Sequence, residues 1–497
     1  MLIQVDQLTA SALACYGGPA VTPNIDGLAE RSVVFEAAYA NFPLCAPSRF
    51  SMLSGRLASE IGAYDNAAEF PASIPTFAHY LRAANQHTAL VGKMHFIGPD
   101  QLHGYQERLT TDIYPSDFAW TFDPDAGREK FANDLRAFTN AGVVLRNPQL
   151  DFDDEVAHQA RGKLYDLARS RGLADEQPWH LTVSFTHPHP PYQCRPEHWA
   201  RYEHGAVPMP RTARIPNSGQ DPYSLRLLDE VSLLENELDD ETIRTARHAY
   251  LGSVSYCDDL IGSILAVLAE TRLDSTTVVI LTSDHGDMLG ERGLWFKKSF
   301  FEDACRVPLM ISWPARFASR RVSSNVSLVD LLPTLSDLAW NGRPPEPVDP
   351  LDGTSLIPLL DGDNTTGSDV VYGENLAEGT LAPIVMVKRG SMKYITGGGD
   401  PDQLFDTSSD ADEHHNLAEV DAHRSTRDEL AGLARRRWDL STLNSLIQAS
   451  QRRRLFLRNL GPGSWNYIPP NLANSRVLSE GHLFNEWLYE SEVKPPG

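Results

Sequence analysis

The sequence predicts an α/β protein, a mostly parallel sheet covered on both faces by helices, followed by a smaller C-terminal α+β domain. Three observations carry this. Short apolar runs that read as buried strands alternate with helical stretches over most of the chain, a pattern that implies parallel strands joined through helices. Histidine, lysine and aspartate recur where such a run has just ended, and open α/β sheets bind ligands beyond the carboxyl ends of their strands. Past a Gly-, Pro-, Asp- and Asn-rich stretch, the segments shorten and alternate as antiparallel strands do.

In chain order, Leu2–Val5 is the first strand and delivers Asp6. Met1 opens directly into it, so we expect a native start a few residues upstream. A helix over Pro75–Ala84 precedes a strand over His87–Val91, which ends at Gly92-Lys93-Met94-His95. A helix over Asp154–Arg169 leads to a strand over Trp179–Thr186, ending at His187-Pro188-His189. The helix Asp240–Thr271 leads to the strand Thr277–Thr282 and then Ser283-Asp284-His285-Gly286-Asp287. In the C-terminal part, Val370–Tyr372, Ile384–Arg389 and Met392–Thr396 read as antiparallel strands, with a turn at Arg389-Gly390, and one helix is expected from about Ser425 to Arg458. The expected division is a catalytic domain over 1–345, a linker over 346–369, a subdomain over 370–458 and an irregular tail over 459–497.

A chain of 497 residues needs no disulfides to build a core. Its five cysteines match no zinc or disulfide framework, and reduced thiols fit a cytoplasmic protein. The formal charge of −22 argues against nucleic acid or anionic membranes as partners. No signal peptide is visible, and no apolar run has the length of a span.

Chemistry concentrates at the strand ends. Asp6, Asp284 and His285 offer two carboxylates and an imidazole, a set suited to a divalent cation: Ca²⁺ or Mg²⁺ by the oxygens, Mn²⁺ by the added nitrogen. Lys93 and His95 stand two residues apart and face the same side if the segment is extended. His189 and Lys297, the latter in Trp295-Phe296-Lys297-Lys298, are candidates to bind an anionic ester and assist its leaving oxygen. Taken singly, each has a plain alternative: a helix cap for Asp284, a solvated surface group for a lysine, a small buried hydrophobe for a cysteine.

The run Leu44-Cys45-Ala46-Pro47-Ser48-Arg49, followed by Ser54-Gly55-Arg56, tips the balance. It resembles the C-x-P-S-R signature of the type I sulfatases of the alkaline phosphatase superfamily. The likeness covers most of the chain and is strongest to the choline-sulfatases. It rests on Val5-Asp6-Gln7, Tyr64–Glu69, Gly98–Gly104, Glu107–Pro115 and Asp287–Lys297.

The resemblance implies the alkaline-phosphatase-like fold and hydrolysis of a sulfate ester. It implies conversion of Cys45 to formylglycine (3-oxoalanine) by a formylglycine-generating enzyme. The hydrated aldehyde is a geminal diol, in which one hydroxyl attacks sulfur and the other later expels sulfate. Arg49 would then stabilise the deprotonated diol, and Cys45 would join Asp6, Asp284 and His285 around the metal. Lys93, His95, His189 and Lys297 would complete the catalytic set, with His189 preferred over His187. Gln7 stands where many sulfatases place a second aspartate.

For a choline ester, Trp120 and Glu378 would hold the quaternary ammonium by a ring face and a charge. The usual aromatic–Asp pair of the tail would be Trp465-Asn466, so Asn466 lacks the charge. The expected substrate is a small sulfate ester, choline sulfate or a related alkyl sulfate, and the expected assembly a homo-oligomer. Alternatives left open are a phosphonate monoester or phosphodiester hydrolase on the same fold, and a silent binding protein lacking formylglycine.

Overall fold

The structure is a computed structural model that describes residues 1–125, 134–173, 176–363, 369–461, 465 and 492–495. The strands are β1 (Leu2–Val5), β2 (Val33–Tyr39), β3 (His87–Gly92), β4 (Glu107–Arg108), β5 (Trp179–Phe185), β6 (Val279–Thr282), β7 (Arg306–Ser312) and β8 (Arg320–Ser327). They form one eight-stranded sheet in the order β8-β2-β7-β6-β1-β5-β3-β4. Only β7 runs antiparallel to its neighbours. Every residue of β1 and β6 is buried, as expected of central strands covered on both faces.

Register explains why the strand ends meet. β1 pairs in parallel with β5, Val5 opposite Phe185, and with β6, Gln4 opposite Thr282. β3 pairs in parallel with β5, Gly92 opposite Ser184. Asp6, Lys93, Thr186 and Ser283 therefore leave the sheet at one end. The pleat sends alternate residues to opposite faces, so Ile3 and Val5 enter one core while Leu2 enters the other. The first core is closed by the helices Pro148–Ser170 and Asp240–Glu270. The latter has a segment of mean hydropathy 1.4 that is apolar enough to cross a membrane, but 67% of that segment is buried inside the molecule.

The C-terminal strands β9 (Val370–Asn375), β10 (Ile384–Arg389), β11 (Met392–Gly397) and β12 (Gln403–Asp406) form an antiparallel sheet in sequential order. Its side chains join both cores. Within the stretch read as a linker lies a short helix, Ile357–Asp361, whose Leu359 and Leu360 are buried with Leu356. The single helix expected from Ser425 to Arg458 is two, Arg424–Arg437 and Leu440–Asn459. The break has a local cause. Trp438 adopts extended backbone and donates its Nε1–H to the buried Glu374 at 2.6 Å, and Asp439 caps the second helix by accepting from Ser441 and Thr442 N–H.

Candidate active site

The helix Cys45–Ser54 starts at the rim with Leu44 as N-cap, and all of its residues are buried. Its first residue is Cys45. The donor atoms of Asp6, Cys45, Asp284 and His285 all lie within 4.8 Å of one another, and all four residues are buried. Cys45 Sγ is 3.2 Å from His285 Nε2. Burial pushes the Cys45 thiol up, but Lys297, Lys93 and His285 outweigh it and hold the group well below its ordinary value. An anion at position 45 is therefore favoured. Asp6 is likewise held down, to about 2: burial raises it, and Lys93 and Arg49 overcome that.

Arg49 stands one helical turn beyond Cys45, and its donors go elsewhere than to the nucleophile. Nε donates to Asp284 Oδ2 and Nη2 to Asp6 Oδ2, each at 2.8 Å. Nη1 donates to Gln4 Oε1, the Lys93 carbonyl and Ser184 Oγ. These bonds fix the spacing of the two carboxylates beside Cys45.

Lys93 is ion-paired to Asp6, and its Nζ lies 3.9 Å from the centre of the Tyr114 ring. The segment after β3 is not extended: His95 has φ of 60°, and Met94 and His95 N–H both donate to Asp112 Oδ2. Lys93 and His95 border the same ring all the same, with His95 4.9 Å from Tyr114, centre to centre. Both ring nitrogens of His95 are buried without a hydrogen-bond partner among the described residues. Lys297 Nζ donates to His189 Nε2 at 2.7 Å and to Gln7 Oε1 at 2.5 Å. His189 Nδ1 faces the Pro190 carbonyl at 2.8 Å. Burial and Lys297 bring His189 down to about 4, so it is a neutral acceptor. His187 is absent from this group: its Nδ1 is bound to Asp153 at 2.7 Å.

Gln7 does what an aspartate could not. Its amide accepts from Lys297 and donates from Nε2 to Asp287 Oδ2 at 2.5 Å. Asp287 also accepts from Tyr192 and from Leu289 and Phe296 N–H.

Trp120 packs against the same two rings, 5.6 Å from His95 and 5.3 Å from Tyr114. Glu378 reaches the site through Asn66. Its Oε1 accepts from Asn66 N–H, and Asn66 Oδ1 accepts from Ala46 N–H, both at 3.0 Å. Asn466 lies outside the described residues, while Trp465 meets Phe118 edge-on at 5.2 Å.

Sequence reasoning gave no role to Tyr114, Asp112, Asn66 or Lys298. The first two sit in Glu107–Pro115 and Asn66 in Tyr64–Glu69, stretches that carried the resemblance, which was the available signal.

A divalent cation fits these residues. Asp6 Oδ1 is buried and without a hydrogen-bond partner among the described residues, and it belongs to a set of carboxylate, imidazole and thiol donors that converge on one point.

Fold and site together define an alkaline-phosphatase-like hydrolase. Among solved structures, a phosphonate monoester hydrolase of Agrobacterium radiobacter superposes with a TM-score of 0.69 at 23% identity, over 90% of this chain and 95% of that one. BT4656 in complex with its substrate D-glucosamine-2-N,6-O-disulfate superposes with a TM-score of 0.67 at 21% identity, over 90% of this chain and 98% of that one. The chain belongs to the sulfatase family, whose model matches residues 1–341, and it is a hydrolase of sulfate esters. The model for the C-terminal region of N-sulphoglucosamine sulphohydrolase matches residues 290–437. A choline-sulfatase of Rhizobium meliloti (strain 1021) is 42% identical over 100% of this chain and 98% of that enzyme. The iduronate 2-sulfatase of Mus musculus is 30% identical over 69% of each chain.

Proposed function

We propose that this sulfatase hydrolyses choline sulfate or a closely related small alkyl sulfate through formylglycine at position 45. The observation that carries the reading is the concentration of cations around the buried Cys45, Lys93 and Lys297 above all, beside the aromatic rings of Tyr114 and Trp120. The lysines suit a sulfate anion and the Trp120 ring a quaternary ammonium, which is held by ring faces rather than hydrogen bonds. The full-length likeness to a choline-sulfatase supports the same substrate.

Asp6, Asp284, His285 and the side chain at 45 would hold the metal, Ca²⁺ in first place, with Mn²⁺ and Mg²⁺ also suited to the donors. When bound, it would polarise the ester oxygens and favour the ionised nucleophile. Formylglycine would supply a hydroxyl nucleophile and its own means of release. The remaining work belongs to the chain. Arg49 keeps the two carboxylates at fixed spacing. Lys297 spends two of its three protons on Gln7 and His189, leaving one for a sulfate oxygen or the departing alcohol oxygen. His189, a neutral acceptor, holds the Lys297 ammonium in place so that its third proton is the one available to the departing alcohol oxygen. His95, with both ring nitrogens unspent, serves the hydroxyl at position 45. The other four cysteines, Cys15, Cys194, Cys257 and Cys305, are free of disulfides, which supports residence in the reducing cytoplasm.

The test is turnover by purified enzyme on choline sulfate, other alkyl sulfates, phosphonate monoesters and phosphodiesters, with mass spectrometry of the Cys45 peptide and metal analysis of the same preparation. We expect choline sulfate to give the highest kcat/KM and the peptide to carry the aldehyde. A preference for phosphodiesters, or an unmodified thiol in active enzyme, would overturn the reading.

A further inference from the structure

We propose that Glu230 sets the cation preference of the substrate pocket by acting through Lys298; the inference rests on the reading that the substrate carries an ammonium. Lys298 is buried next to the site lysine Lys297. Its Nζ is ion-paired to Glu230 on one side and lies 3.0 Å from Glu378 Oε2 on the other, with the three side chains 10, 12 and 15% exposed. The lysine is anchored at its backbone: N–H donates to the Pro43 carbonyl, and the carbonyl accepts from Tyr223 and Asn375. These bonds fix the backbone from which the Lys298 side chain reaches the two carboxylates.

Charge arithmetic gives the arrangement its meaning. Glu378 with Lys298 alone is a neutral pair, and a neutral pair offers a cation little beyond a dipole. Adding the Glu230 carboxylate makes the triad net −1, in a setting where burial limits screening. The charge sits close to the nucleophile, because Glu378 is tied through Asn66 to the N–H of Ala46. Arg226, one turn before Glu230, does not cancel it, being paired with Asp400. Gly379 permits the approach: a Cβ there would stand 2.7 Å from Leu227 Cδ2 and 3.2 Å from Glu230 Oε2, at a φ of +72°. Glu230 is thus a positioning residue for charge, which touches the substrate only through its effect on Lys298 and Glu378.

The test compares kcat/KM for choline sulfate with that for 3,3-dimethylbutyl sulfate, its uncharged isostere, in full-length metal-loaded enzyme. Wild type should prefer choline sulfate. E230Q keeps the size and a hydrogen bond but neutralises the triad, so the ratio of the two kcat/KM values should fall about tenfold, mainly through KM for choline sulfate. E230D keeps the charge and should restore the ratio. K298Q removes the positive member and should leave the ratio at or above wild type. A purely structural role for the triad would lower the ratio in E230Q and K298Q alike, and that result, or an unchanged ratio in E230Q, overturns the proposal. If E230Q does not accumulate, K298Q decides alone. A wild-type enzyme indifferent to the ammonium group rejects the substrate reading, and this inference with it, and is distinct from wild-type preference that survives in E230Q.

Discussion

Arg49 illustrates how much of the site hangs on one side chain. It is fully buried and bonds two carboxylates that β1 and the strand-end loop after β6 deliver from segments far apart in the sequence. Such a charge stays buried only because its partners are complete, and removing one member of a buried pair costs about 3–5 kcal/mol. Lysine keeps the charge but lacks the planar fork that serves several acceptors in different directions. Arg49→Lys is therefore expected to reduce bound metal and to lower kcat by about a hundredfold or more, as lost preorganisation of charged groups does. Metal analysis alongside steady-state kinetics checks both; a variant with full metal and wild-type kcat would mean that Asp6 and Asp284 hold their positions unaided.

At the level of elements, the second C-terminal helix, Leu440–Asn459, acts on the segment that carries Trp120. Arg454 makes a bidentate pair with Asp65 at 2.7 Å to each oxygen, and the two side chains are 5 and 2% exposed. Arg458 donates to the Ala119 and Thr121 carbonyls. Asp65 precedes Asn66, so the same pair supports the contact to Ala46. Arg454→Ala should destabilise the fold by about 3 kcal/mol in urea titration and raise KM for choline sulfate more than it lowers kcat, because it loosens Trp120 while leaving the metal ligands alone. Strand β5 gives a prediction in pH. His180 on it is buried beside Phe77 and Tyr105, and burial drops it well below its usual value. A histidine kept neutral in the fold but free to protonate when unfolded stabilises fully above about pH 6.5, and that stability is lost as pH falls below it. Between pH 7.5 and 5.5 the loss amounts to about 1.4 kcal/mol. Urea titrations at the two pH values should show a pH-induced loss about 1.4 kcal/mol larger in wild type than in His180→Asn; equal losses in the two proteins would mean that the ring is charged in the fold.

Across the whole molecule, the C-terminal sheet is locked to the catalytic sheet by charge as well as by shared core. Lys393 on β11 is fully buried and bonds Glu302 at 2.6 Å, Glu413 at 2.8 Å and the Phe300 carbonyl at 2.8 Å. Glu302 is brought down to about 2, burial opposing and Lys393 prevailing, while Lys393 is raised, its burial outweighed by Cys305 and the two glutamates. Lys393→Met would leave Glu413 without its cation and Glu302 with Arg306 as its remaining ion-pair partner among the described residues. We expect a loss of about 3–5 kcal/mol and, since Phe300 lies three residues beyond Lys297, a fall in kcat in parallel. Urea unfolding and kinetics on one preparation test this; a variant as stable as wild type would show that apolar packing alone joins the two sheets.

Much of the site was legible in the chain because each strand end is a local event. An apolar run stops, a polar residue follows, and the sheet's parallel order brings such ends to one rim, so Asp6, Lys93, His189, Asp284 and His285 could be read as a group before any coordinates. Strands β2, β4, β7, β8 and β12 were not singled out, and the break at Trp438 was read as continuous helix, because its cause is a hydrogen bond to Glu374, 64 residues away. The sequence by itself determined which residues carry chemistry and the kind of sheet that gathers them. Only the tertiary structure decided what each does there: that Arg49 holds carboxylates, that Gln7 bridges Lys297 to Asp287, and that Glu230 bears on Glu378 through Lys298. Periodicity and motifs are set by neighbours along the chain, whereas the partner of a buried charge is set by packing between segments hundreds of residues apart.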